Sequence, residues 1–299
     1  MIDRIERALR DPELSDKEWI RNALMYSGRN GADFCFGVIY MWSPVLGYRI
    51  AQVDGMLVVR GGTGSYSLPA GDGDCTELLR EMMADTAEPL KLHAVCEYQK
   101  QWLEESFPGA FLFTEDRDQE DYIYSVRDLA DLPGKKYHGK RNHCSYFEKT
   151  YDWTYEEMTG ETALECLEYS RKWLRQNPDK RDAGPDGEFR AIERALPNFD
   201  ALDFRGGILR IEGNIVGYTF GEPINDRVFC IHVEKADGSV RGAYPMINRE
   251  FARNTISDFE LVNREEDMGI EGLRRAKLSY HPVELLVKYR AVQQQTTII

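Results

Sequence analysis

The chain has 299 residues, 42% hydrophobic and 30% charged, which fits a folded globular protein long enough for two domains or one large one. Lys and Arg number 38 against 51 Asp and Glu, a net charge of −13. That balance excludes a dedicated duplex-DNA binder, which needs a basic field to meet phosphate.

No apolar run is long enough to cross a bilayer, and Met1-Ile2-Asp3-Arg4-Ile5-Glu6 lacks the apolar core of a signal peptide, so a cytoplasmic location is expected. Cys35, Cys75, Cys96, Cys144, Cys166 and Cys230 form no C-x-x-C pair and read as buried free thiols.

The first helix is signalled by a capping box, Ser15-x-x-Glu18, followed by Trp19, Ile20, Ala23, Leu24 and Ser27 at helical spacing, with Gly28 as the stop. Phe34 to Trp42, rich in aromatic and β-branched residues, reads as a strand. Tyr48 to Val53 and Met56 to Arg60 flank Asp54-Gly55, a two-residue hairpin turn. Gly61-Gly62-Thr63-Gly64 lacks the Lys-Ser/Thr and the following helix of a phosphate loop and reads as a hairpin end. A helix over Cys75 to Ala87, a strand over Leu90 to Val95 and a helix over Glu97 to Phe107 follow. Phe111 to Thr114 and Tyr122 to Val126 then read as a hairpin.

The second part predicts helices at Thr162 to Gln176 and Glu188 to Leu196. Strands follow at Gly207 to Glu212, Ile215 to Glu222 and Arg227 to Glu234. A helix at Tyr244 to Asn254, a strand at Phe259 to Asn263, a helix at Gly269 to Tyr280 and a strand at Glu284 to Tyr289 complete it. The element order repeats although the residues do not. The reading is a mixed α/β duplication, 1–126 and 127–299, with a linking helix at 135–150 in the second half.

Three stretches, Gly134 to His143, Asn263 to Gly269 and Gly272-Leu273-Arg274-Arg275-Ala276-Lys277-Leu278-Ser279-Tyr280-His281-Pro282, resemble an uncharacterised bacterial family. It is grouped with the C-terminal domain of phosphatidylglycerol lysyltransferases. The resemblance implies two tandem GNAT-like acyltransferase folds, related to Fem-type aminoacyltransferases, and an acyl or aminoacyl transferase activity. It implies aminoacyl-tRNA or an acyl-CoA as donor, and a tRNA acceptor end with a lipid or peptide acceptor as partners. One departure stands out. CoA-dependent members of the wider superfamily carry Arg/Gln-x-x-Gly-x-Gly/Ala after the fourth strand. Here Lys235 to Tyr244 holds only Arg241-Gly242-Ala243 in a shifted register, with Asp237 where phosphate would sit.

The candidate residues follow. Lys136, His138, Lys140, Arg141, Asn142 and His143 make a basic segment in an acidic chain, an anion clamp or a solvated helix face. Alternation places Cys230, His232 and Glu234 on one side of a strand, with no further metal ligands placed by the sequence, so no metal is assigned. In this fold the Val233 amide faces the cleft, and Glu234 is the candidate general base. Arg241, Gly242 and Ala243 are the candidate donor seat. Asn263, Glu265 and Glu266 either bind a cationic group or complement the dipole of the following helix. Tyr280 is the candidate general acid implied by similar acyltransferases. Lys277 and Lys288 read as surface lysines. A second reading is a non-catalytic binding or regulatory module whose donor loop has been lost.

Overall fold

The protein was analysed as a computed structural model describing residues 2–25, 30–84, 88–176 and 185–294. Ser27 and Gly28, and the end of the expected helix at Ala87, lie outside the described residues. The first elements are α1 (Ile2–Ala8), α2 (Lys17–Met25), α3 (Phe36–Leu46), β1 (Arg49–Val53) and β2 (Met56–Arg60). Then come α4 (Thr76–Ala84), β3 (Lys91–Cys96), α5 (Glu97–Ser106), β4 (Phe111–Glu115), β5 (Asp121–Ser125) and α6 (Val126–Asp131). The chain continues through α7 (His138–Thr150), β6 (Trp153–Glu157), α8 (Gly160–Gln176), α9 (Pro185–Ala195), β7 (Arg205–Ile211), β8 (Asn214–Pro223) and β9 (Val228–Ala236). It closes with α10 (Ala243–Asn254), β10 (Leu261–Asn263), α11 (Glu271–Leu278), β11 (Glu284–Leu286) and β12 (Lys288–Gln293).

Local signals explain many of these elements. Asp54 and Gly55 both take positive φ, as the tight turn joining β1 to β2 requires. Ahead of α2 the reciprocal capping pair is Glu13 with Asp16, around the short turn Leu14–Asp16, rather than Ser15 with Glu18. The Asp16 carboxylate accepts from the Glu13 amide and the Trp19 indole, each at 2.8 Å. The segment expected as a strand at Phe34 to Trp42 is instead α3. Its apolar residues face all round because it is buried on nearly every side, packed between the first half and α9, so it shows no amphipathic stripe.

A seven-stranded sheet runs β11-β5-β10-β9-β8-β7-β6, and a three-stranded sheet runs β3-β12-β4. Strands cross the 126/127 division in both directions. β5 lies between β10 and β11, and β12 lies between β3 and β4. β4 and β5 therefore form no hairpin with each other. The expected single strand at Glu284 to Tyr289 splits between the two sheets. Tyr66 forms a parallel bridge to Leu92, so the first half also contains a parallel junction beside its glycine-rich turn.

β10 runs parallel to β9 but pairs only over Val228–Cys230. β10 ends at Asn263, opposite Cys230, and the chain turns away from β9, while β9 stays paired with β8 as far as Ala236. The separation of this parallel pair creates the site.

Candidate active site in the parted sheet

A bulge in β9 decides what faces the gap. Pairing with β8 shifts register between Phe220 and Gly221, leaving His232 as the extra residue. Gly221 is required there, because a Cβ would collide with the carbonyl oxygen of Cys230. The bulge corrects the expected alternation. Cys230, His232 and Val233 all turn toward the side of α3 and the large core, and Glu234 turns with Phe229 and Ile231 toward α10. His232 and Glu234 thus belong to two different clusters.

On the α10 side, both oxygens of Glu234 are engaged. Arg264 donates to Oε1 at 2.8 Å and Asn248, from α10, donates to Oε2 at 2.9 Å. Arg264, directly after β10, crosses the gap and lies against two rings, 4.7 Å from the Tyr280 centroid and 5.4 Å from that of Tyr124. Its Nη1 and the Asn248 Oδ1 are buried and have no hydrogen-bond partner. Lys140, from α7, closes the cluster with its ammonium 3.6 Å from the Tyr280 centroid. Burial, with the Arg264 charge alongside, pushes the Lys140 ammonium down to about 8. Burial pushes the Tyr280 phenol well up, so it stays protonated. The gap is accordingly lined by polar side chains, two of which, Arg264 and Asn248, each keep one atom without a partner.

The loop after β10 is rigid for an identifiable reason. Lys277 of α11 is buried and donates to the carbonyls of Arg264, Glu265 and Glu266. Asp267, fully buried, accepts from Arg274, Tyr122, Arg117 and the Gly269 amide, which fixes the start of α11. The three consecutive acids therefore separate. Asp267 anchors α11. Glu265, at φ 57°, turns to His232. The half-buried Glu266 is pushed up to about 7 by burial with Glu265 beside it.

The second cluster lies on the α3 side. His232 Nδ1 is 2.9 Å from Glu265 Oε1, and its Nε2 is 3.1 Å from Glu222 Oε1. Glu222 also accepts from the Gly37 amide at 2.6 Å and Arg21 at 3.2 Å. Asn263 donates to Asp121 at 2.9 Å and to the Asn30 carbonyl at 2.7 Å, and its Oδ1 accepts from the Glu265 amide. Lys288 completes the group, ion-paired with Asp121 and Asp33. It is 4% exposed, so Lys277 and Lys288 are not the surface lysines their residue type suggests. Lys288 also borders an open cleft of about 570 Å³ reached by Tyr48, Gly61, Ser65, His93 and Arg290.

The remaining expected residues serve other ends. Lys136 pairs with Asp128 at 3.2 Å, and Arg141 donates to the carbonyls of Leu132 and Gly134. His138 and Asn142 contact each other at 3.1 Å on the exposed side of α7, where His143 is also exposed. Of the basic segment only Lys140 reaches the gap. Arg241 lies over Tyr146 at 4.2 Å. Gly242 takes φ 93°, a Cβ there would sit 2.6 Å from the His143 carbonyl, and Ala243 is fully buried. The start of α10, where a pyrophosphate would sit, is thus covered by α7. Val233 packs into the core, with its carbonyl taken by Thr219 Oγ1 at 2.8 Å. Arg264, Asn248 and Glu222 are the contributors with no periodic or spacing signal in the sequence. Arg264 is legible only as the residue after a strand in a polar loop.

A mixed α/β chain with two parallel junctions, one parting around a polar cluster, has the tandem GNAT-like acyltransferase fold. Residues 25–292 match the family described as phosphatidylglycerol lysyltransferase, C-terminal, and the chain belongs to that family. A conserved protein of unknown function from Bacteroides thetaiotaomicron superposes with a TM-score of 0.89 at 42% identity, covering 96% of this chain and 99% of that one. The C-terminal domain of a putative lysylphosphatidylglycerol synthetase from Agrobacterium fabrum superposes with a TM-score of 0.67 at 14% identity, covering 94% and 92%. An uncharacterised protein of Mycoplasmoides gallisepticum is 26% identical over 179 residues, covering 56% of this chain, which spans about half (54%) of its length. Among the described residues no helix is long and apolar enough to cross a membrane.

Proposed function

We propose that the protein transfers an aminoacyl group from an ester-linked carrier, such as the acceptor end of tRNA, to an amine or hydroxyl, and that the parted strands β9 and β10 hold that group. The observation that carries this reading is the pair of unpartnered polar atoms beside Glu234. Arg264 Nη1 is a donor suited to an acyl carbonyl oxygen. Asn248 Oδ1 is an acceptor suited to an α-ammonium group. An acyl-CoA lacks that amino group, and the covered start of α10 offers its pyrophosphate little room.

With both oxygens engaged, Glu234 is a positioning residue for Arg264 and Asn248. Lys140, whose ammonium is pushed down to about 8, takes the base role in its deprotonated form. The acceptor's nitrogen or oxygen attacks the acyl carbon, and its proton passes to Lys140. Arg264 stabilises the developing oxyanion. The carbon–oxygen bond to the carrier breaks, and Tyr280 gives its proton to the departing alkoxide, a base strong enough to take it. Exchange with solvent restores both side chains. A lipid or peptide acceptor is consistent with the family.

The test is a thermal-shift comparison of a 3′-aminoacylamino-adenosine analogue, coenzyme A and acetyl-CoA on the wild type and on Asn248→Ala. Stabilisation by the aminoacyl analogue alone, lost in the variant, supports the reading. Stabilisation by the CoA compounds alone overturns the choice of donor, and no shift with any compound favours the non-catalytic module.

A further inference from the structure

On the α3 side of the β9 bulge the side chains fit a chemistry that acyl transfer does not use. Cys35 occupies the N-cap position of α3, His232 forms the bulge with Cys230 two residues before it, and Glu265 reaches in from the loop after β10. The two sulfur atoms and an imidazole nitrogen all lie within 4.8 Å of one another, and all three residues are buried. Glu265 Oε1 stands 2.9 Å from His232 Nδ1 and 3.9 Å from Cys230 Sγ. With metal bonds of 2.0–2.3 Å, tetrahedral ligands sit about 3.3–3.8 Å apart. The Cys35, Cys230 and His232 atoms thus stand no more than about 1 Å wider than those edges, and Glu265 lies beside two of them as the fourth group.

We propose that Cys35, Cys230, His232 and Glu265 bind a zinc ion. Two thiolates and an imidazole are soft and borderline ligands that select zinc over magnesium or calcium. The outer contacts match as well. His232 gives its other nitrogen to Glu222 at 3.1 Å, which sets the tautomer that leaves Nδ1 free for metal. Glu222 is itself fixed by the Gly37 amide and by Arg21. Ala32 and Val38 form an apolar wall around the sulfurs. Binding releases the two thiol protons, and any proton on Nδ1, to solvent, and no oxidant is needed. Four protein ligands leave no open position, so the ion is structural. It ties α3, the bulge and the loop together and holds β9 and β10 apart from the face opposite Arg264.

This inference stands apart from the acyl-transfer reading, because metal content is read without any activity. The protein is expressed with zinc in the medium, purified without chelator and analysed by inductively coupled plasma mass spectrometry. About one zinc per chain is expected, falling to background in Cys35→Ser/Cys230→Ser. Should that variant fail to fold, cobalt exchanged into the wild type decides. A thiolate-to-cobalt charge-transfer band is expected in the near ultraviolet. Zinc well below one per chain in the wild type, zinc unchanged in a folded double variant, a Cys35–Cys230 disulfide in the intact mass, or cobalt without that band would each overturn the site.

Discussion

Arg264 holds Nη1 out of water with no hydrogen-bond partner, a placement that costs about 1–3 kcal/mol unless a ligand supplies an acceptor. Replacing it with Lys keeps the charge toward Glu234 and removes the fork. About tenfold weaker binding of the aminoacyl analogue is expected by calorimetry, with the fold intact. Lys140 gives a pH signature. In the unfolded chain its ammonium loses its proton near the ordinary lysine value, and in the fold near 8. Between those values the unfolded state binds more protons, so Lys140 makes stability rise with pH through that window and contributes no slope below it. Arg264, Glu234, Tyr280 and Cys144 face this group, and none is removed by Lys140→Met. Denaturant unfolding from pH 7 to 10 should show the rise in the wild type, with a flatter curve in Lys140→Met. Under the proposed mechanism, turnover should climb through pH 8 in the wild type only.

At the scale of elements, the bulge in β9 and the pinned loop after β10 shape the gap. Gly221→Ala drives a methyl into the Cys230 carbonyl and should destabilise the protein by more than about 3 kcal/mol, read as a lower denaturant midpoint. Lys277→Met leaves three carbonyls without their shared donor. It should cost about 3 kcal/mol and speed hydrogen exchange at residues 264–267 first. These elements also mark where sequence reading succeeds and stops. Turn chemistry at Asp54-Gly55 and the order of helices and strands from Gly160 to Leu278 are local, and the structure keeps them. The helix α3 is hidden because a buried helix and a buried strand share one composition. The bulge is hidden because it arises where β8 and β9 pair, and it alone sends His232 and Glu234 to opposite faces. Glu234, Tyr280 and Lys140 are legible because each ends or faces an element. Arg264 and Asn248 become partners of Glu234 only in three dimensions.

Over the whole molecule, the exchange of β5 and β12 makes the two halves interdependent. β12 enters the first half's sheet, and its Lys288 neutralises Asp33 and Asp121 in a buried site at the junction. Lys288→Met strands two buried carboxylates and should destabilise the entire chain by about 3–5 kcal/mol in one cooperative transition, visible by calorimetry. Two separated unfolding steps would show that the halves stand alone. The net charge of −13 does not oppose the proposed site, because Arg264 and Lys140 sit together in it.

The central claim is that Arg264 and Asn248 await an aminoacyl group. Titration calorimetry with the 3′-aminoacylamino-adenosine analogue and with its counterpart lacking the α-amino group tests it, on the wild type and on Asn248→Ala. Removing the amino group should weaken binding about tenfold in the wild type and leave the variant's affinity unchanged. Equal affinity of the wild type for both compounds would contradict the claim.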